Sequence, residues 1–110
     1  MARILVVDDD SEQAEMRCVL LREGGHDATA AYSPEAALKS YRRRRPDVVL
    51  MDLKLPRAED GMGLLRDLGP EARVVILSGS RVIPSVDGAA RVLRKPCSSA
   101  TLLKAIRELA

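Results

Sequence analysis

Five polar residues stand where short apolar runs stop. Asp8 and Asp9 follow the run Arg3 to Val7, Asp52 lies at the end of Asp47 to Leu53, Ser78 follows Arg73 to Leu77, and Lys95 comes just after Arg91 to Leu93. If these runs are parallel strands of one sheet, their carboxyl ends share an edge, and three carboxylates, a hydroxyl and an ammonium converge there. Carboxylates packed that closely repel one another, so the cluster calls either for shared protons or for a hard divalent cation held by oxygen ligands. Magnesium is the natural guest of such a site.

The elements that must position these groups are legible in the apolar pattern, which alternates short buried runs with longer periodic segments, as repeated βα units do. Arg3 to Val7 is apolar at nearly every position, which suits a central parallel strand covered on both faces. Asp10 is placed to cap a helix with Gln13 as its reciprocal partner; Met16, Val19, Leu20 and Glu23 follow at helical spacing until Gly24 and Gly25. Asp27 to Ala31 is a weak strand, and Ser33 with Pro34 opens a second helix through Ala37, Leu38 and Tyr41. Asp47 to Leu53 is a buried strand, Lys54 to Asp60 a loop, and Met62 to Leu68 a short helix closed by Gly69 and Pro70. After the strand Arg73 to Leu77, residues 81–90 read mostly as loop because Pro84 and Gly88 interrupt any helix. Arg91 to Leu93 is a brief fifth strand, and Ser98 or Ser99 caps a final helix with Leu102, Leu103, Ile106 and Leu109 on one face. The expected architecture is α/β: a doubly wound, five-stranded parallel sheet with helices on both faces, forming a single domain over residues 1–110.

Composition narrows the function classes. The chain has 110 residues, 46% hydrophobic and 31% charged, which is ordinary for a globular domain. Eighteen Lys and Arg against 16 Asp and Glu give a formal charge of +2, which supports no electrostatic case for nucleic acid or acidic lipid. Two Tyr with no Phe or Trp leave no stacking platform for single-stranded nucleic acid. No apolar run approaches the ~20 residues of a membrane span, and no cleavable signal pattern is present, so a cytoplasmic location is expected. Cys18 and Cys97 are expected as free thiols. His26, the single histidine, follows a helix-ending glycine pair and is expected in an exposed loop. Asp10 reads as a cap rather than a ligand, and Arg42 to Arg45 as a solvated helix end.

Four segments taken together carry a family resemblance: Ile4-Leu5-Val6-Val7-Asp8-Asp9, Asp47-Val48-Val49-Leu50-Met51-Asp52-Leu53-Lys54-Leu55-Pro56, Val75-Ile76-Leu77-Ser78-Gly79 and Val92-Leu93-Arg94-Lys95-Pro96. In this order, at strand ends, they make the chain resemble the receiver domain of two-component response regulators over nearly its whole length. The resemblance implies a flavodoxin-like sheet in the order 2-1-3-4-5. It implies that Asp52 accepts a phosphoryl group from a histidine kinase or a histidine phosphotransfer protein. Asp8 and Asp9 would hold Mg2+, joined by the Asp52 carboxylate and the backbone carbonyl of Lys54. Lys95 would pair with one phosphoryl oxygen and Ser78 would hydrogen-bond another, and a cis peptide would precede Pro96. Phosphorylation, adding about −1.5 to −2 in charge, would rearrange the strand-end loops and signal by protein contact.

Three departures from the family pattern bear on output. One extra residue precedes Asp60-Gly61. The stretch from Ser78 to Lys95 is about five residues shorter than usual, which removes most of a fourth helix. Val92 occupies a position where the family often has a rotating aromatic ring, a motion that a β-branched aliphatic does not provide. The phosphorylation site is expected to be complete, the output face remodelled, and the molecule a monomer or weak dimer with an unknown downstream protein target. The expected role is a signalling domain that promotes only its own phosphoryl transfer and dephosphorylation. Two rivals remain: a pseudo-receiver that binds partners without phosphorylation, and a haloacid dehalogenase-like phosphatase, which Asp8, Asp10, Ser78 and Lys95 mimic in order but which lacks the acidic pair needed after Lys95.

Overall fold

A computed structural model describes residues 2–53, 55, 57–79 and 88–110. The chain runs β1 (Arg3–Val7), α1 (Ser11–Glu23), β2 (Asp27–Ala31), α2 (Pro34–Arg43), β3 (Val48–Asp52), α3 (Ala58–Leu68), β4 (Val74–Ser78), β5 (Arg91–Arg94) and α4 (Ser99–Leu109). All five strands pair in parallel in the order β2-β1-β3-β4-β5, the doubly wound arrangement expected from the sequence. Among the described residues no helix lies between β4 and β5; residues 81–87, most of the stretch read as loop, fall outside the description.

The central strands β1, β3 and β4 are largely apolar because both faces of the sheet are covered there, and alternate side chains enter different layers. Leu5, Val7, Val49, Met51, Val74 and Ile76 join Ala37 and Tyr41 of α2 and Leu64, Leu65 and Leu68 of α3. Ile4, Val6, Val48, Leu50, Val75 and Leu77 join Ala14, Cys18 and Leu21 of α1 and Leu102 and Ile106 of α4. The β2 edge strand is made of small side chains and is less deeply buried, as the weak apolar signal of Asp27 to Ala31 anticipates.

Caps fix where the helices start. The Asp10 carboxylate accepts from the amides of Glu12 and Gln13, at 3.0 and 3.3 Å, and Ser33 accepts from Ala36 at 3.1 Å ahead of Pro34. Ser98, not Ser99, caps α4 by accepting from the Thr101 amide. Gly69 closes α3 with φ of 83°.

Several sequence expectations change. The face of α1 turned to the sheet is Ala14, Cys18 and Leu21, whereas Met16 and Val19 are 65% and 51% exposed. Small side chains at 14 and 18 let the helix lie close to the strands, which the larger Met16 and Val19 would prevent. The third helix starts at Ala58, four residues before the expected Met62. The Arg57 amide donates to the Asp60 carboxylate at 3.1 Å, so residues expected at the end of the loop open the helix instead. His26 is half-buried rather than exposed, and its Nδ1 accepts from the Ala2 amide at 3.0 Å. Both cysteines are free, as expected.

Candidate functional site

Parallel pairing delivers the predicted residues to one edge. Val7 is level with Met51 across β1 and β3, Asp52 with Leu77 across β3 and β4, and Ser78 with Arg94 across β4 and β5. Each strand therefore stops within a residue of its neighbour, and the next side chains stand around a common cleft. Asp8, Asp9, Asp10, Gln13, Asp52, Gly79 and Lys95 line it. Ser78 is the buried last residue of β4. The Lys95 amide donates to the Ser78 carbonyl at 2.8 Å, which carries the β4–β5 ladder one step beyond the strand and places the lysine at the cleft. The Lys95–Pro96 peptide is cis, in agreement with the family pattern.

Two ion pairs organise the charges. The Lys95 ammonium pairs with Asp52 Oδ2. Asp8, only 2% exposed, has both oxygens engaged: Oδ1 accepts from the Asp10 amide at 2.9 Å, and Oδ2 pairs with the Arg17 guanidinium of α1. The Asp10 amide is thereby taken by Asp8 rather than by Gln13, and the reciprocal capping bond expected for Gln13 gives way to a place in the cleft wall. Asp9 is exposed at the cleft mouth.

The carboxylates that line the cleft from two strand ends are of the kind that suits a hard dication. Among the described residues no three His, Cys, Asp or Glu side chains are gathered tightly enough to enclose a metal by themselves, with Asp52 reaching toward Lys95 and Asp8 toward Arg17. No buried side-chain nitrogen or oxygen among the described residues lacks a hydrogen-bond partner. Asp8 and Asp52 are thus each paired with one of the chain's own cations, while Asp9 and Asp10 add further negative charge to the cleft. Lys54, whose carbonyl is the remaining expected ligand, lies outside the described residues.

Gly61 lies against Leu53, the residue that follows Asp52. An added Cβ would lie 1.9 Å from the Leu53 carbonyl oxygen, so only glycine lets the first turn of α3 rest on the chain that leaves the site. Leu53 itself is held by its amide, which donates to the Leu77 carbonyl at 3.1 Å.

Arg17 is the site residue that sequence reasoning overlooks. It lies one turn beyond Gln13 on α1, so the i, i+4 spacing from a residue near the acidic strand end was the available signal. Its guanidinium also reaches toward Cys97: burial raises the Cys97 thiol above its ordinary value while Arg17 pulls it the other way.

A doubly wound sheet in this order, with acidic residues after β1, an aspartate ending β3 and a lysine after β5, is the arrangement that the resemblance to receiver domains implies. The family model for the response regulator receiver domain matches residues 4–107, and the chain belongs to that family. It is 36% identical over 112 residues to the DNA-binding response regulator MtrA of Mycobacterium tuberculosis, covering 96% of this chain and 49% of that one. It is 32% identical to the transcriptional regulatory protein CseB of Streptomyces coelicolor, covering 94% and 47%. The chain thus spans about half the length of these curated relatives. Among solved structures, a response regulator receiver domain protein from Clostridium thermocellum superposes with a TM-score of 0.88 at 31% identity, covering 99% of this chain and 94% of that one.

Proposed function

We propose that residues 1–110 form one receiver domain in which Asp52 accepts a phosphoryl group from a phosphohistidine on a histidine kinase or phosphotransfer protein. The observation that carries this reading is the Lys95–Asp52 pair in a cleft that Asp8 and Asp9 also line. An Asp52 carboxylate oxygen attacks phosphorus, the phosphorus–nitrogen bond breaks, and the electron pair leaves with the imidazole. Lys95 then transfers its ammonium from the Asp52 carboxylate to a phosphoryl oxygen, and the Ser78 hydroxyl donates to another. Asp8 and Asp9, with the Asp52 carboxylate and the Lys54 carbonyl, would hold Mg2+. Bound there, the ion supplies positive charge that offsets the repulsion between the attacking carboxylate and the incoming phosphoryl oxygens.

In this reading the chain promotes transfer to and loss from its own aspartate and acts on no separate substrate. It works in the cytoplasm through contacts with a downstream protein. No helix among the described residues is long and apolar enough to cross a membrane, which is compatible with that location. The short connection between β4 and β5 and the aliphatic Val92, half-buried against the α3 side of the sheet, support an output face that dimerises weakly if at all.

Incubation with acetyl phosphate and Mg2+ should add one phosphoryl group to the intact protein, seen by mass spectrometry, and Asp52→Asn should abolish the gain. Equal labelling of the Asp52→Asn protein would overturn the assignment.

A further inference from the structure

We propose that Arg17 is an internal competitor for the divalent cation: its guanidinium holds the Asp8 carboxylate until a metal displaces it, and so sets the metal concentration at which the site can be loaded. The inference rests on the reading of Asp8 and Asp9 as metal ligands. It adds a residue that the sequence pattern of the site does not contain.

The geometry leaves little room for both cations. Asp8 Oδ1 is committed to the Asp10 amide and Oδ2 to Arg17, so no oxygen of this carboxylate is without a partner. The Asp8 and Arg17 side chains are 3% and 15% exposed, so their attraction is screened less than that of a surface ion pair and leaving Asp8 without a cation is costly. A dication ligated by Asp8 would face the guanidinium across the same oxygen, and two positive charges at that separation in a poorly solvated cleft repel strongly. One must leave. Arg17 has somewhere to go, because it also borders the open groove between α1 and the Lys95–Pro96–Cys97 corner, lined by Gln13, Leu20, Leu77 and Leu102.

Two states follow, one with Arg17 on Asp8 and one with Arg17 in the groove and the carboxylate available. A ligand that binds only the second sees its affinity reduced by the fraction of molecules in that state. A charge-assisted pair of this burial makes the available state a minor one, so the apparent Mg2+ affinity is about tenfold weaker than the carboxylates would otherwise give. The guanidinium also keeps Asp8 neutralised when the metal is absent.

The test is a Mg2+ titration of uniformly 15N-labelled protein, wild type, Arg17→Lys and Arg17→Gln, following the Asp9, Asp10 and Gly79 amides, with folding checked by circular dichroism in chelator. Arg17→Gln should bind Mg2+ about tenfold more tightly than wild type. Arg17→Lys, which keeps a charge but loses the forked donor, should bind about threefold more tightly. If Arg17→Gln does not fold without metal, the lysine variant carries the comparison. Affinities unchanged or weaker in the folded variants would overturn the competition while leaving the metal site standing. Absence of saturable shifts at these amides in all the proteins would overturn the metal reading itself, and the competition with it.

Discussion

The backbone of Lys95 is tied to that of Ser78 by a 2.8 Å hydrogen bond, while the ammonium of the same residue reaches across to Asp52. A single residue therefore links three strand ends: its amide extends the β4–β5 ladder and its side chain closes on the last residue of β3. The charge is delivered from a fixed backbone, which limits the freedom lost when it is placed.

Lys95→Ala should separate these two roles. The amide bond to Ser78 survives because any residue but proline supplies the N–H, so the fold should persist, with a loss of about 1 kcal/mol in urea unfolding for a half-exposed pair. Labelling by acetyl phosphate should fall by about a hundredfold, the usual scale for removing one group aimed at developing charge. Labelling at the wild-type rate would exclude the ammonium from the chemistry.

Two glycines of α3 should respond to alanine with opposite signs. At Gly61 the new Cβ would meet the Leu53 carbonyl at 1.9 Å, and backbone cannot move aside cheaply, so Gly61→Ala should cost more than about 2 kcal/mol. At Gly63 no atom lies within 4 Å of the new Cβ, and removing glycine from a helix interior should stabilise by about 0.5–1 kcal/mol. Denaturant midpoints of the two variants decide the matter, and a tolerated Gly61→Ala would contradict the close contact.

Burial lowers the His26 imidazole below its ordinary value, and the charge of Arg107 acts in the same direction. The folded state therefore prefers the neutral ring, whose Nδ1 accepts from Ala2. On acidification the unfolded chain takes up the proton first, near pH 6.5. Stability from this residue is accordingly complete above that pH and is lost as the pH falls through the unfolded value toward the lower folded one. Because the chain has one histidine, the slope of urea midpoint against pH between about 7.5 and 5.5 should flatten in His26→Asn. An unchanged slope would place the titrating group elsewhere.

The strand ends were legible because each apolar run breaks at a polar residue, and the doubly wound order then brings Asp8, Asp52, Ser78 and Lys95 together without further information. The start of α3 was not, because Asp60-Gly61 signals a turn in isolation. Only the approach of Gly61 to Leu53, a contact between segments, explains why a glycine belongs inside a helix there. Arg17 escaped for a related reason. The more conspicuous apolar stripe of α1, Met16 and Val19, turned out to face away from the sheet, so an orientation chosen by residue size placed the helix wrongly about its axis. Burial by the smaller Ala14 and Cys18 turns Arg17 toward the carboxylates instead.

The order of the strands along the chain also gives the site a history. Asp52 and Lys95 are separated by 43 positions, and the lysine follows β5, the last of this sheet's five strands in chain order and one of its edges. A nascent chain that has emerged only as far as β4 already carries the acidic strand ends but not the ammonium that neutralises Asp52. Closing that long loop costs conformational entropy that is recovered only when β5 docks. The Lys95–Asp52 pair is therefore a mark that β5 has docked: a chain halted before β5 cannot present Asp52 with its lysine.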